Sequence, residues 1–97
     1  MNEAIFEGLI HKDFDWLKSH IDKAINRYNP SGCRNIYVCE YYMNLHFGAD
    51  WQRTIDTLKK NIKGKESDTN RDGVRMFKGQ VGNANIYVVG LNMGAAT

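Results

Sequence analysis

The stretch Arg34–Phe47, RNIYVCEYYMNLHF, constrains the fold more than any other part of the chain. Its odd positions, Tyr37, Cys39, Tyr41, Met43, Leu45 and Phe47, are all apolar or aromatic. Its even positions, Ile36, Val38, Glu40, Tyr42, Asn44 and His46, begin apolar and turn polar after Val38. Side chains leave a strand on alternate sides, so a period of two with one wholly apolar face marks a half-buried strand. Twelve residues at about 3.3 Å each would reach roughly 40 Å, longer than a usual strand. A bend, a bulge or an overhang past the partner strands is therefore expected. An overhang would offer Tyr42, Asn44 and His46 as a contact surface. The plainer reading is a twisted central strand whose polar side faces water.

Ninety-seven residues, 42% of them hydrophobic, make one domain with a single modest core. So short a chain leaves little room for a deep active-site cleft as well. The net charge of +2 is unevenly spread: residues 1–50 carry five basic and seven acidic side chains, residues 51–97 eight basic and four acidic. That asymmetry points to a basic patch in the second half.

Cys33 and Cys39 are the two cysteines. Extended chain between them holds them too far apart for a bridge, so reduced thiols and a cytoplasmic protein are expected. No basic segment followed by a long apolar run opens the chain, and no stretch approaches the roughly 20 apolar residues of a membrane helix, so no membrane contact is expected.

Residues 2–28 read as helix: Phe6, Ile10, Phe14, Leu17, Ile21 and Tyr28 recur at helical steps, with Ala24 or Ile25 between the last two. Gly8 and His11-Lys12-Asp13 weaken the middle, and Asp13 is a good cap, so the segment is one helix with a weak point or a short helix and a long one. Asn29-Pro30 ends it. Trp16 lies beside the stripe, as a flank of the core or as an anchor for a partner. After the central strand, Asp50 is expected to cap a second helix with Trp51, Ile55, Leu58 and Ile62 on its inner face and Gly64 as its stop.

KGKESDTNRDG, residues 63–73, has no apolar side chain, and residues 64–73 read as a mobile polar loop. Val74–Val81 and Ala84–Met93 then form a hairpin about Gly82-Asn83, with Phe77 opposite Val88 and Met76 opposite Val89. The expected fold is a single α+β domain in the order α (one or two pieces), β, α, β, β, with a three-stranded antiparallel sheet packed by the helices. The exposed edge of the central strand would offer a second copy, or another protein, a place to pair.

Three kinds of chemistry are conceivable. Asp68, Asn70, Asp72 and Gly73 match the first half of an EF-hand calcium loop, but the twelfth position is Gly79 where a bidentate glutamate is needed, and Arg71 puts positive charge inside. Asx turns explain the same letters. Lys59, Lys60, Lys63 and Lys65, with Arg53 and Arg71, form the basic patch, suited to phosphates or to an acidic protein surface, though no nucleic-acid-binding motif accompanies it. A thiol nucleophile at Cys33 has no evident base, and Cys39 and His46 lie on opposite sides of the strand. No catalytic residue, cofactor or metal ligand is assigned.

The leading expectation is a non-enzymatic binding protein acting on a larger protein or complex through Arg53, Lys59, Lys60, Lys63 and Lys65 or through Tyr42, Asn44 and His46. An inhibitor of a host enzyme or defence complex, of viral or mobile-element origin and anti-CRISPR type, fits a short motifless protein of this kind. The alternative is a nucleic-acid-binding module using the basic helix and loop.

Overall fold

The computed structural model describes residues 4–28, 35–43 and 45–94. Seven elements follow one another: β1 (Ala4–Ile10), α1 (Phe14–Tyr28), β2 (Asn35–Tyr42), α2 (Phe47–Asn61), β3 (Lys63–Ser67), β4 (Val74–Val81) and β5 (Ala84–Asn92). The strands form one mixed sheet in the order β1-β2-β5-β4-β3. β1, β2 and β5 are parallel, and β4 runs antiparallel to β5 and to β3. The fold is thus a small α+β domain with two helices, but its sheet has five strands and not the three expected.

Two crossovers build it. β1-α1-β2 joins neighbouring parallel strands, and α2 carries the chain from β2 to the far edge at β3. Both step across the sheet in the same direction, so the right-handed rule lays both helices on one face. There Leu17 and Ile21 of α1 and Trp51, Ile55 and Leu58 of α2 share one core with Ile36 and Val38 of β2, Phe77 of β4 and Ile86 and Val88 of β5. Burying each such aliphatic side chain contributes about 1.5–3 kcal/mol. Trp16 and Ile62 pack on the flank of that core, the place expected of Trp16.

Local signals explain much of this. The Asp13 carboxylate accepts the Trp16 amide proton at 2.8 Å, capping α1 as expected. The hairpin stands in the expected register, with Gly82 at φ 58 in its turn. Gly90 lets β5 pass under the Trp51 indole, for a β-carbon there would come within 2.6 Å of the ring. Gly90→Ala should therefore cost about 1–3 kcal/mol, read as a drop in the urea midpoint with an unchanged far-ultraviolet spectrum.

Several expectations are corrected. Ala4–Ile10 is a parallel edge strand and not helix, since it pairs with β2 from Ala4↔Asn35 to Ile10↔Tyr41. The central strand is eight residues and not twelve: it stops at Tyr42, still paired with Asn92, and Phe47 already opens α2, so it does not overhang its partner. Asp50 therefore lies inside the first turn of α2 and not at its cap, and Gly64 belongs to β3, with Ile62 ending the helix in extended conformation. The polar stretch after the helix opens as β3, held by its ladder to β4 from Lys63↔Gln80 to Ser67↔Met76. The central strand also has no free edge, lying between β1 and β5; the sheet's edges are β1 and β3.

Candidate functional site

The helices cover one side of the sheet, and the strand registers define what stands on the other. Across β2, β5, β4 and β3 the first row is Asn35, Asn85, Gln80 and Lys63. The second is Tyr37, Tyr87, Lys78 and Lys65. The third is Cys39, Val89, Met76 and Ser67, with Gly8 of β1 beside it. The fourth is Ile10, Tyr41, Leu91 and Val74, from β1, β2, β5 and β4. Beyond that row, at the C-terminal ends of the parallel strands, Met43 and Met93 are more than half exposed. The face therefore runs from amides and lysines, through a band of tyrosines, to aliphatic side chains and methionines. None of these positions is acidic.

The tyrosine band has a definite geometry. Tyr37 and Tyr87 stack at 4.5 Å between centroids and 11° between planes. Lys78 places its ammonium 5.6 Å from the Tyr87 centroid. β2 and β4 flank β5, so the Tyr87 ring has Tyr37 on one side and a cation on the other. A groove of about 460 Å³ runs along the basic end, lined by Lys63, Lys65, Lys78, Gln80 and Asn85 with Gly64 and Gly79. Cys39 is a free, half-buried thiol in the middle of the face, and burial pushes its pKa up, so it is protonated and a weak nucleophile near neutral pH.

A second polar site lies on the helix side, at the C-terminal ends of β1 and β2. Glu40 is completely buried. His11 Nδ1 stands 2.7 Å from Glu40 Oε2, and the Tyr42 hydroxyl donates to Glu40 Oε1 at 2.9 Å. The same hydroxyl lies 3.0 Å from Thr54 Oγ1, whose own proton goes to the Asp50 carbonyl. The His11 ring stacks on Tyr42 at 4.2 Å. A cleft of about 480 Å³ opens there, lined by His11, Lys12, Asp13, Asp50, Arg53, Thr54 and Thr57. A histidine held through Nδ1 by a carboxylate is one component of a general base. Here, however, Arg53 bonds Asp50, Lys12 stands over the Trp16 ring and Asp13 caps α1, so the cleft's charges are engaged within the fold. The cluster reads as a satisfied polar insert in the core, consistent with the absence of any buried, unpartnered side-chain nitrogen or oxygen among the described residues.

Burial raises the pKa of Glu40 above its ordinary 4.5, and the contacts with His11 and Tyr42 offset only part of that. A carboxyl with a raised native pKa binds its proton more tightly in the folded state than in the unfolded one. Its contribution to stability is full below about pH 4.5 and is lost as pH rises through the native value. Glu40→Gln keeps the acceptor for Tyr42 and removes the charge. Relative to the parent, the variant should gain stability between pH 4.5 and pH 8, measured as urea midpoints across that range; a constant difference would show that Glu40 does not titrate there.

The residues expected at the site divide among several places. Lys63 and Lys65 stand on the open sheet face. Lys59 and Lys60 lie exposed in the last turn of α2, in the helix layer, and Arg53 is tied to Asp50. Tyr42 is a correction: it is 1% exposed and faces the core, so it forms no contact surface. His46 is exposed and directly precedes α2, and Asn44 lies outside the described residues. Cys33 is also outside them. Asp68 Oδ1 accepts the Asn70 amide proton at 2.9 Å, and Asn70 takes φ 56, an Asx turn within its own loop. Among the described residues no group of histidine, cysteine and carboxylate side chains could hold a metal ion.

Residues missed from sequence are Lys78, Tyr37, Tyr87, Met76, Val89 and Leu91. The hairpin pattern contained the signal: apolar residues on both of its sides, with Lys78 in register with Tyr87. No described helix is long and apolar enough to cross a membrane. Comparison with known protein families, curated proteins and solved structures finds no match to this chain.

Proposed function

We propose that the protein is a non-enzymatic binding protein that docks on a larger protein through its open sheet face. The observation that supports this most is the face itself: a graded, half-apolar surface with three lysines and no acidic residue at its registered positions. Contiguous apolar surface rimmed by charge marks interaction sites. Tyrosine and methionine are enriched in protein interfaces. Action by occupancy follows, and inhibition of a host enzyme or defence complex, of the viral or mobile-element kind, is the form we propose for it.

A specific observation speaks against single-stranded nucleic acid as the occupant, although lysines and tyrosines on a sheet would otherwise suit it. Bases stack on open ring faces. Tyr87 has Tyr37 on one side and the Lys78 ammonium on the other, so this central ring presents its edge and hydroxyl. The test is capture of partners by tagged protein from the lysate of its own source, with and without nuclease, followed by titration of the purified partner. A stoichiometric protein that survives nuclease and is released by excess untagged protein is expected. Partners that vanish with nuclease, or an affinity that collapses between low and moderate salt as phosphate contacts require, would replace this reading with the nucleic-acid one.

A further inference from the structure

We propose that the occupant of the open face is an amphipathic helix of the partner protein, laid along β2 and β5. Its apolar stripe would cover Cys39, Val89, Tyr41 and Leu91, and a carboxylate-bearing end would reach Lys63, Lys65 and Lys78. This inference rests on the reading above and adds the shape and chemistry of what binds.

β1, β2 and β5 are three adjacent parallel strands within the mixed sheet. Wholly parallel sheets are almost always covered on both faces, usually by helices, and this half of the sheet has that character. Here the described helices cover one face, and a helix from outside would complete the second layer.

The open face also has the dimensions of a helix. From Asn35 to Met43 the rows extend about 26 Å at 3.3 Å per residue, and β2, β5 and β4 give a lane about 10 Å wide. A helix is about 10 Å across and needs roughly 18 residues for that length. The third row, of Gly8, Cys39, Val89 and Met76, lies between the tyrosine band and Tyr41 and Leu91. On the β1 side the Tyr41 ring leans over this row, 3.5 Å from where a β-carbon on Gly8 would stand, so the helix would pack on Tyr41, Val89 and Met76 there.

Charge favours a carboxylate-bearing partner and selects against a second copy of this chain. A two-fold pairing of the open faces would bring lysines onto lysines, or lysines onto the Met43 and Met93 end. Neither is complementary. A helix with aspartate or glutamate at one end and apolar residues at the other matches the gradient row by row.

The test places the reporter at the exposed rim of the face, as Gln80→Cys in a Cys33→Ser background, since half-buried Cys39 reacts slowly. A benzophenone maleimide at position 80 is photolysed in the purified complex, and the attached partner peptide is identified by mass spectrometry. The peptide is expected to carry apolar residues at steps of three and four with acidic residues clustered at one end. A synthetic copy should gain helical circular dichroism on titration with the protein. Exchanging its acidic residues for lysine should weaken binding at least tenfold and restore it to a variant carrying Lys63→Glu, Lys65→Glu and Lys78→Glu. Attachment to a basic segment, to an extended strand or to a second copy would overturn the helix and leave protein docking standing. Attachment to nucleic acid, or no protein captured, would overturn both.

Discussion

Trp51→Ala is expected to cost about 3–5 kcal/mol, a large part of the stability of a domain this size. The indole is fully buried at the centre of the helix layer. Tyr42 meets it edge-on at 6.0 Å, Phe47 lies 6.5 Å away, and Gly90 forms the floor beneath it. Its Nε1 proton goes to Glu66 Oε2 at 3.0 Å, on the strand that follows α2. Truncation thus leaves a cavity and also removes the tie between α2 and β3. Arg75 keeps Glu66 paired, so the loss is mainly that of packing. Trp51→Phe should recover part of the stability, because a six-membered ring still fills much of the site although the rest of the indole and its hydrogen bond are lost. Urea unfolding followed by far-ultraviolet circular dichroism measures both variants. A loss below 1 kcal/mol for the alanine variant would mean that α2 does not organise the core.

Reversing Lys63, Lys65 and Lys78 to glutamate together should weaken partner binding by about 100-fold, the effect of like-charge contacts worth about 3 kcal/mol. All three stand on neighbouring strands of one face, in the first two rows of the register. Their side chains are exposed, so the fold should persist. The contrasting variant is Lys59→Glu with Lys60→Glu. Those lysines lie in the last turn of α2 on the other layer, and their reversal should leave affinity within about twofold, apart from long-range steering that salt screens. Titration calorimetry at two salt concentrations measures both. The opposite ranking would move the interface to the helix layer.

These two results depend on features that were unequally visible in the sequence. The inner stripe of α2 and the hairpin from Val74 to Asn92 were legible because each pattern has one solution: steps of three and four, or two β-rich runs about Gly82-Asn83. β1 was not legible. Phe6 and Ile10 continue the spacing of Phe14, Leu17 and Ile21, and only tertiary pairing with β2 makes the first of these segments a strand. β3 was hidden because KGKES has no apolar residue to reveal a period, and its stability comes from the ladder to β4.

The central strand shows the same limit at the level of single residues. Glu40 made its own side look wet. Its partners, His11 at the end of β1 and Tyr42 two residues along, satisfy the carboxyl inside the core, which turns the apparently polar side inward. The tyrosines expected to be buried then stand on the open face. Lys63 and Lys65 stand out in the sequence as part of a basic patch, but only the sheet order shows that Lys78, Tyr37 and Tyr87 stand with them.

The most direct test of the open face as the docking surface is hydroxyl-radical footprinting of the protein alone and in complex with its captured partner. Met76, Met93, Tyr41 and Tyr87 report the open face, and Trp16 and Lys60 the helix layer. The account predicts that oxidation of the first four falls at least fivefold in the complex while that of Trp16 and Lys60 is unchanged. Protection of Trp16 and Lys60, with the open-face residues oxidised as in the free protein, would contradict it.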